Sequence, residues 1–460
     1  MKKLKWFAVL ACLLLVLAAC NDDSDSSNGS DSDSGSSKKD EVTVWTFPHY
    51  AGNEELGKNS YEQDLQEMIA KYEEQNPNVE VKYEILSWAE GGKKFSTALN
   101  AGSPPDVYFS TLNEQFIQTG LAVPLDEYLT EEDLNDIAEY GKRVYTYDDK
   151  IWGIPHYLSL HTWGGNRELL EAAGADIEKI QNEGWTWDEF YEIAKAATKD
   201  GVYGFSTQGQ TEETFTHLMI NNGVRNNTEA DGTVNVSGEK ALESLQFLQK
   251  LKDEGIMPSE VGGFDLAKND ELFNSWQVAI YGRVGPYRIG EVAALNADIE
   301  AGKVDGKPID IVLLPFPHNE GEKEEGVGGA GGLMLFTQKG QKDEQHTKNA
   351  ADVLKWLTNA ESGITAAAMN LPPARYSGQE LYKEMIGFDT PNGQFMSRYL
   401  TTLTPPVRLQ GDLIDKNSTF KADTLLPKFQ AFITGTATPE ETIEAWRKGA
   451  KAAGLNPVDK

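Results

Sequence analysis

Aromatic rings stand close to polar side chains at several points of this sequence, a combination that suits the binding of sugars. The 460-residue chain has 10 Trp, 17 Tyr and 18 Phe. Sugars present apolar C–H faces, which pack on flat rings, and hydroxyl groups, which hydrogen-bond to Asp, Glu, Asn, Arg or His. Trp45, Phe47 and His49 fit this pattern, because they lie where the first predicted strand meets its loop. Trp45 is equally compatible with a place in the core.

Motifs for catalysis or nucleotide binding are incomplete in this chain. Residues 52–60 approach the phosphate loop G-x-x-x-x-G-K-[ST], but Asn59 replaces the hydroxyl that would hold magnesium, and two glutamates inside the loop would repel phosphate. No H-E-x-x-H zinc motif occurs, and residues 204–208 depart from the nucleophile elbow at the last position. We therefore predict no catalytic residue, no metal site and no cofactor. A glycosidase stays open as an alternative, because its carboxylate pair is a spatial feature.

The first twenty residues carry the signal of an exported lipoprotein. Lysines precede an apolar run at residues 6–17, which leads into Leu-Ala-Ala-Cys ending at Cys20. A run this short cannot cross a bilayer of about 30 Å as a permanent helix, so we predict a signal peptide at residues 1–19. The residues before Cys20 match the lipobox, in which that cysteine receives the lipid. Because Cys12 lies in the removed segment, neither an intramolecular disulfide nor a Cys-ligated metal is expected.

An acidic spacer follows the lipobox. Residues 21–39 are almost entirely Asp, Ser, Gly and Asn, so we assign residues 20–40 to the lipidated cysteine and a disordered tether. The signal peptide contains three lysines and no acid, and its removal takes the formal net charge from −30 to −33. So acidic a surface repels nucleic acid and anionic lipid. We therefore expect no nucleic-acid partner, and membrane contact through the lipid anchor only.

The remaining chain, about 420 residues, is too long for one small core and suits two lobes. Predicted strands alternate with predicted helices, which indicates an α/β fold with a parallel sheet and helices on both faces. The predicted strands are 41–47, 79–86, 106–110, 202–206, 278–281, 309–314 and 333–336. The predicted helices are 61–76, 93–100, 113–119, 167–173, 187–198, 239–254, 349–358 and 439–453.

A series of short segments gives the chain its family resemblance. In order, they are Glu74-Gln75-Asn76-Pro77, the segment Leu-Asn-Ala-Gly-Ser-Pro-Pro-Asp-Val at 99–107, Gly-Leu-Ala-Val-Pro-Leu at 120–125, Trp-Gly-Ile-Pro at 152–155, Thr-Trp-Asp-Glu-Phe at 186–190, Gly-Pro-Tyr at 285–287 and Pro-Glu-Glu at 439–441. From about Val42 to Ala453 the chain resembles extracellular solute-binding protein family 1, the maltose-binding-protein-like substrate-binding lipoproteins of ABC sugar transporters. The segments identify the family but not the sugar.

The resemblance implies a two-lobed, periplasmic-binding-protein-like fold. Its discontinuous lobes, joined by hinge crossings, would leave a ligand cleft at the carboxyl ends of the strands and close around the ligand. Residues 41–152 and 313–336 would form lobe 1. Residues 153–312 and 337–460 would form lobe 2.

The resemblance also implies a function without chemistry. We expect an extracytoplasmic, monomeric receptor, anchored to the outer face of the bacterial cell membrane. It would capture a carbohydrate, an oligosaccharide above all, and deliver it to the membrane subunits of an ABC permease. Two alternatives stay open. One is a receptor for a small anion such as glycerol phosphate, for which arginines of the cleft would matter, and the other is a secreted glycan-degrading enzyme.

Several ligand candidates follow from the resemblance. Tyr287 matches the family position that usually holds a stacking Trp. Thr111 occupies a position where the family has a stacking aromatic, so that stack is lacking here, whereas Glu114 keeps the family's acid. Trp163 is offset from the family's usual Tyr, and it either stacks from a new angle or belongs to the core.

Further candidates are polar groups and glycines near the predicted crossings. His156 follows the first crossing, which the resemblance puts near residues 149–155, and a hinge role there competes with ligand contact. Arg288 and Arg375 are candidate polar anchors, together with Arg283 and Arg408. Gly331 and Gly332 lack side chains, which would let the backbone approach a ligand closely.

Overall fold

The computed structural model describes residues 39–52, 59–341 and 343–458. The strands are β1 Asp40–Thr46, β2 Val79–Ile85, β3 Val107–Phe109, β4 Ala122–Val123, β5 Thr146–Tyr147, β6 Lys150–Ile151, β7 Gly153–Asn166, β8 Tyr203–Ser206, β9 Thr233–Val234, β10 Val278–Val284, β11 Ile311–Leu314, β12 Val327–Phe336 and β13 Asn456–Pro457. Short 3-10 turns lie at Asn235–Ser237, Val261–Gly263 and Glu361–Gly363, and a π-helical turn spans Lys421–Leu425.

Helices surround the strands. They are α1 Tyr61–Gln75, α2 Gly91–Ala101, α3 Glu114–Gln118, α4 Glu131–Asp136, α5 Glu139–Val144, α6 Arg167–Ala172, α7 Ile177–Glu183, α8 Trp187–Ala197, α9 Glu213–Ile220, α10 Glu239–Asp253, α11 Leu266–Asn274, α12 Tyr287–Glu300, α13 Glu344–Trp356, α14 Ile364–Ala368, α15 Tyr376–Leu381, α16 Lys383–Ile386, α17 Pro391–Leu400, α18 Leu413–Phe420, α19 Leu426–Ile433 and α20 Pro439–Ala452. Of the helices in these described ranges, none has the length and apolar character that a membrane span requires.

The first strand and helix follow from local sequence. In β1, Val42, Val44 and Thr46 alternate with more exposed residues and are buried, as the period of a strand facing a core requires. Ser60 caps α1, because its hydroxyl accepts from the Gln63 N–H while its own N–H donates to Gln63 Oε1 at 2.7 Å. The buried stripe of α1 consists of Tyr61, Leu65, Met68, Ile69 and Tyr72.

One mixed sheet forms the centre of the described molecule. Its strand order is β2-β1-β3-β12-β7-β10-β8, with β4 added to β12 and β11 added to β7. The β2-β1-β3 part is parallel, and β10 and β8 are parallel, whereas β7 and β12 run antiparallel to each other. This arrangement confirms the predicted α/β class, but the sheet is mixed, whereas the sequence predicted a parallel one.

Strand β7 changes partners along its length. Its first part, as far as His161, pairs with β12, and from Thr162 onward it pairs with β10 and β11. Three residues of the same strand, Leu158, Leu160 and Trp163, belong to three different core clusters. It therefore connects the separately packed parts of the molecule.

The hydrophobic core has three clusters. The first packs β1, β2, β3 and α1 against the C-terminal part of β12 and the buried side of α13. The second surrounds Trp163 and draws on α8, α10, α19 and α20. The third packs β10 and β11 against α17. The division into lobes at residues 152, 312 and 336 stays a prediction. Helix α13 is relevant to it, because the prediction assigned this helix to lobe 2, whereas its buried residues belong to the first cluster, together with β1, β2 and β3.

Candidate functional site

A cavity of about 970 Å³ lies beside the middle of β7. One wall is the loop after β1, from His49 to Gly52. A second wall is α12 with the end of β10 before it, and α14 with its following turn forms a third. The cavity thus opens where strands of the sheet end and loops begin, the usual place for ligands in open α/β sheets.

Alternate residues of β7 form the floor of this cavity. Tyr157, Ser159 and His161 line it, since side chains two apart on a strand share a face. Burial raises the pKa of Tyr157 and lowers the pKa of His161, so both are neutral at pH 7. The floor therefore offers hydroxyl and imidazole groups without charge.

His49 is the least satisfied polar residue of the cavity. Both of its ring nitrogens are buried and have no hydrogen-bond partner in the protein. Burial, with a smaller effect of His156, lowers the pKa of His49 to about 3. The ring is held edge-on between Phe109 and Tyr61, with centroid distances of 4.5 and 4.6 Å. A neutral imidazole in this position can donate one hydrogen bond and accept another from a bound ligand.

Tyr287 brings the aromatic ring of the second wall. It is the first residue of α12, directly after Pro286, and it is half-buried against the cavity. Burial raises the pKa of its phenol to about 12. A Cβ atom on Gly285 would lie 2.8 Å from Cε1 of Tyr287, so glycine is needed for the ring to fold back over the chain.

Small residues of α12 provide the space. Gly290, Ala293, Ala294 and Ala297 line the cavity at helical spacing, and larger side chains at these positions would fill it. The remaining volume therefore depends on a helix face without bulk.

The charged residues that line the cavity are paired. Nη2 of Arg283 lies 3.2 Å from Oε1 of Glu213, and Nζ of Lys303 lies 3.4 Å from Oδ1 of Asp298. The fifth, Glu291, accepts a hydrogen bond of 2.7 Å from Nη1 of the buried Arg288. The described lining thus presents charge pairs rather than an isolated charge.

Among the sequence-predicted site residues, Tyr287, His49 and Arg283 line the cavity, and the other aromatic and histidine candidates lie elsewhere. Trp163 is fully buried in the second core cluster, against Phe190 and Phe205, so it is the core residue of the two options that the sequence left open. Phe47 is buried next to the cavity wall. Trp45 is half-buried beneath Lys94 Nζ, at 4.6 Å, on the first cluster.

His156 is buried behind the floor of the cavity. Its Nε2 lies 2.7 Å from the carbonyl oxygen of Ser362, which can only accept, so this nitrogen carries the proton. Burial lowers the pKa of His156 to about 4. Its position fits the structural alternative better than direct ligand contact.

The remaining polar candidates are occupied in ion pairs or exposed elsewhere. Glu114 bonds to Nη1 of Arg408 at 3.1 Å, and Thr111 is exposed on the loop after β3. Arg375 pairs with Asp133 and Asp136. Arg288, the second residue of α12, is buried, and its contact with the cavity lining is the hydrogen bond to Glu291.

Gly331 and Gly332 serve packing of the sheet. A Cβ atom on Gly331 would lie 2.4 Å from Cζ of Tyr157, and one on Gly332 would lie 2.2 Å from the carbonyl oxygen of Ile154. The space beside both glycines is therefore occupied by β7, and neither glycine is among the residues that line the cavity.

Ser159, Glu213 and Asn370 line the cavity and were missed by sequence reasoning. Glu213 is 70 residues from its partner Arg283, and no local pattern connects the two. Ser159 could have been found from its position two residues after Tyr157, had the segment been identified as a strand. Within the described ranges, no group of three or more His, Cys, Asp or Glu side chains is placed to hold a metal ion.

A family model for bacterial extracellular solute-binding proteins matches residues 59–364. The chain belongs to this family. The predicted resemblance is thereby confirmed, and with it an extracytoplasmic setting. Members of the family are binding proteins rather than enzymes.

Curated relatives of this solute-binding protein are distant. A binding protein from Brucella abortus is 28% identical over 225 residues, which cover 47% of this chain and 53% of the relative. The match thus spans about half the length of that relative. The diacetylchitobiose-binding protein DasA from Streptomyces coelicolor is 27% identical over 353 residues, 74% of each chain.

Solved structures share the fold. An ABC substrate-binding protein from Listeria monocytogenes, determined in complex with cycloalternan, superimposes with a TM-score of 0.69 at 20% identity. The superposition covers 91% of this chain and 100% of that one. It confirms the predicted periplasmic-binding-protein-like fold.

Proposed function

We propose that this solute-binding protein captures a carbohydrate in the cavity beside β7 and delivers it to the permease of an ABC importer. The observation that carries the proposal is the lining of the cavity. Tyr157 and Tyr287 offer aromatic rings, and His49 offers two buried nitrogens that no protein group satisfies. A buried polar group without a partner is costly, so a ligand with hydroxyl groups is the natural complement.

The pairing of charges supports an uncharged ligand. Arg283 is neutralised by Glu213, and His49 and His161 are neutral at pH 7. A phosphate or another small anion would need an unpaired cation in the lining. This disfavours glycerol phosphate, the alternative that rested on arginines of the cleft.

The size of the cavity supports an oligosaccharide. About 970 Å³ is at the upper end of the roughly 300–1,000 Å³ that small-molecule sites occupy. A diacetylchitobiose-binding relative and a structural neighbour in complex with cycloalternan agree with this size class.

The proposal includes attachment to the membrane by lipid at Cys20, which lies outside the described residues. Removal of residues 1–19 would leave Cys20 as the N-terminus and the acidic segment after it as a spacer. The body would act as a monomer whose lobes close by bending at β7 and β12, the strands that run between the first and the other core clusters. Closure would present one surface to the permease.

The test is a thermal-shift screen against mono- and oligosaccharides, with the products checked by chromatography. Binding to the folded state alone must raise the melting temperature, by the equivalent of about 2.7 kcal/mol at a ligand concentration of about 100 Kd. We expect Tyr287→Ala to abolish the shift and to keep the fold. Tyr376→Ala removes an exposed tyrosine that does not line the cavity and serves as the matched control.

Three results would contradict parts of this proposal. An undiminished shift in Tyr287→Ala would remove this residue from the site. No shift with any glycan in the screen would refute a carbohydrate ligand. Cleaved glycan in the chromatogram would restore the enzyme alternative.

A further inference from the structure

Trp88 is an exposed tryptophan next to the cavity. It lies in the loop between β2 and α2, and 57% of its surface is exposed, whereas every other tryptophan in the described ranges is at least half-buried. Leaving so large an apolar ring in water forgoes the stabilisation that burial would provide, about 25 cal/mol per Å² of apolar surface. The position of the ring therefore needs an explanation other than core packing.

The indole is held rigidly in place. One of its faces stacks on Phe47, with a centroid distance of 4.3 Å and an interplanar angle of 16°. Its Nε1 donates a hydrogen bond of 3.0 Å to the carbonyl oxygen of Pro48. Because one face is covered and the rotation of the ring is fixed, the exposed surface is a flat platform. Little conformational entropy is left to lose when something binds to it.

The platform adjoins the cavity. The Trp88 and His49 ring centroids are 5.7 Å apart, and His49 lines the cavity. His49 in turn lies 5.9 Å from the ring of Tyr157 on the floor. An aromatic path therefore leads from the floor of the cavity, past the unsatisfied imidazole, to the exposed face of Trp88.

We propose that Trp88 is an outer subsite, on which a sugar ring of an oligosaccharide lies as the chain leaves the cavity. This inference rests on the proposed carbohydrate function and extends it to the length of the cargo. The electron-rich face of an indole attracts the C–H face of a sugar, and a pre-positioned ring needs no ordering on binding. A mono- or disaccharide fits inside the cavity and does not reach Trp88, whereas a longer chain does.

The test measures affinity against ligand length. Chitooligosaccharides and maltooligosaccharides of about two to six units are titrated calorimetrically into the full chain and into Trp88→Ala, Trp88→Phe and the control Tyr376→Ala. For the series that binds, we expect Trp88→Ala to lose about tenfold in affinity for the longest chains, equivalent to about 1.4 kcal/mol, and less than twofold for the disaccharide. Trp88→Phe keeps a ring and should lose less, and Tyr376→Ala should lose nothing.

Fluorescence gives an independent readout on folded protein. The difference spectrum between the wild type and Trp88→Phe isolates the emission of Trp88, and we expect it to shift to the blue only with long chains, because they cover the ring. Equal losses at every length, or no loss at any length, would overturn the subsite while short-chain binding still supported the proposed function. Unchanged binding with impaired uptake in a transport assay would instead assign Trp88 to permease docking. Absence of binding by both series would overturn this inference, and a negative screen against other glycans would extend that failure to the proposed function.

Discussion

Acid should destabilise this protein through His156, and the effect can be isolated with one substitution. His156 is 6% exposed, and its Nε2–H bonds to the Ser362 carbonyl. Burial, opposed in part by this hydrogen bond, lowers the pKa of the imidazole to about 4. In the unfolded chain the pKa is about 6.5. Between about pH 4 and pH 6.5, the imidazole is therefore protonated in the unfolded state and neutral in the folded state.

The sign and the size of this effect on the free energy of unfolding follow from the linkage between proton binding and folding. A histidine with a depressed pKa contributes stability that is fully present above about pH 6.5 and is lost as the pH falls toward the folded value. With a folded pKa of about 4, the free energy of unfolding should be about 2 kcal/mol lower at about pH 5 than at about pH 7.5 on account of His156 alone. Gln at this position keeps an amide donor for Ser362 and does not titrate.

The assay compares urea unfolding of the wild type and His156→Gln at the two pH values. Other titrating groups cancel in the difference between the proteins, so the stability advantage of the wild type should shrink by about 2 kcal/mol on acidification. His346→Gln provides a control of opposite sign. Burial lowers the pKa of His346, but its hydrogen bonds to Asp106 and Asp40 outweigh burial and raise it. The advantage of the wild type over that variant should therefore grow in acid, and a pH-independent gap for His156→Gln would refute the reasoning.

Two further substitutions test the anchor and the sheet. Cys20→Ser should release the protein from the membrane fraction of expressing cells because it removes the proposed lipidation site, and continued sedimentation with membranes would contradict the proposed anchor. Gly331→Ala places a methyl group 2.4 Å from the ring of Tyr157, so we expect a loss of about 1–3 kcal/mol in urea unfolding together with weaker glycan binding. Wild-type stability in that variant would show that β7 and β12 can separate without cost.

The first strand and the first helix of the fold could be predicted because the sequence patterns that define them are local. The alternation in β1, the stripe on α1 and the Asn76–Pro77 stop each depend on neighbours a few residues apart, and they give boundaries within one residue or so of those observed. Tertiary packing only reinforces these preferences, so sequence and structure agree.

Strand β7 was not predicted as one element, for a physical reason. A strand that is solvated on one face alternates, but β7 exchanges β12 for β10 and β11 at Thr162 and is buried on both faces beyond that point. Its periodicity therefore breaks in the middle. The sequence could not decide between cleft and core for Trp163 because this residue lies directly after the change of partners, where alternation no longer separates an exposed face from a buried one.

Only part of the cavity was accessible to prediction. Tyr287 and His49 stand beside recognisable strand or helix ends, and both line it. Helix α12 was missed because its cavity face is rich in Gly and Ala, which do not form the bulky apolar stripe of a core-facing helix. A helix face of small residues, which leaves room for a cavity, therefore gives little hydrophobic periodicity in the sequence.

The backbone at the end of β10 explains how Arg283 and its partner Glu213 are positioned at this cavity. Arg283 has a φ of 62°, in the left-handed region that non-glycine residues rarely adopt, and the register with β7 shifts between Tyr281 and Val284. Such a backbone stores about 1–3 kcal/mol of strain, which persists only where surrounding contacts hold it. Here the Arg283 guanidinium is held by the Glu213 carboxylate, the first residue of α9, at the edge of the site. This ion pair holds the charged side chain of Arg283 at the cavity, so its positive charge faces the cavity together with the negative charge of Glu213.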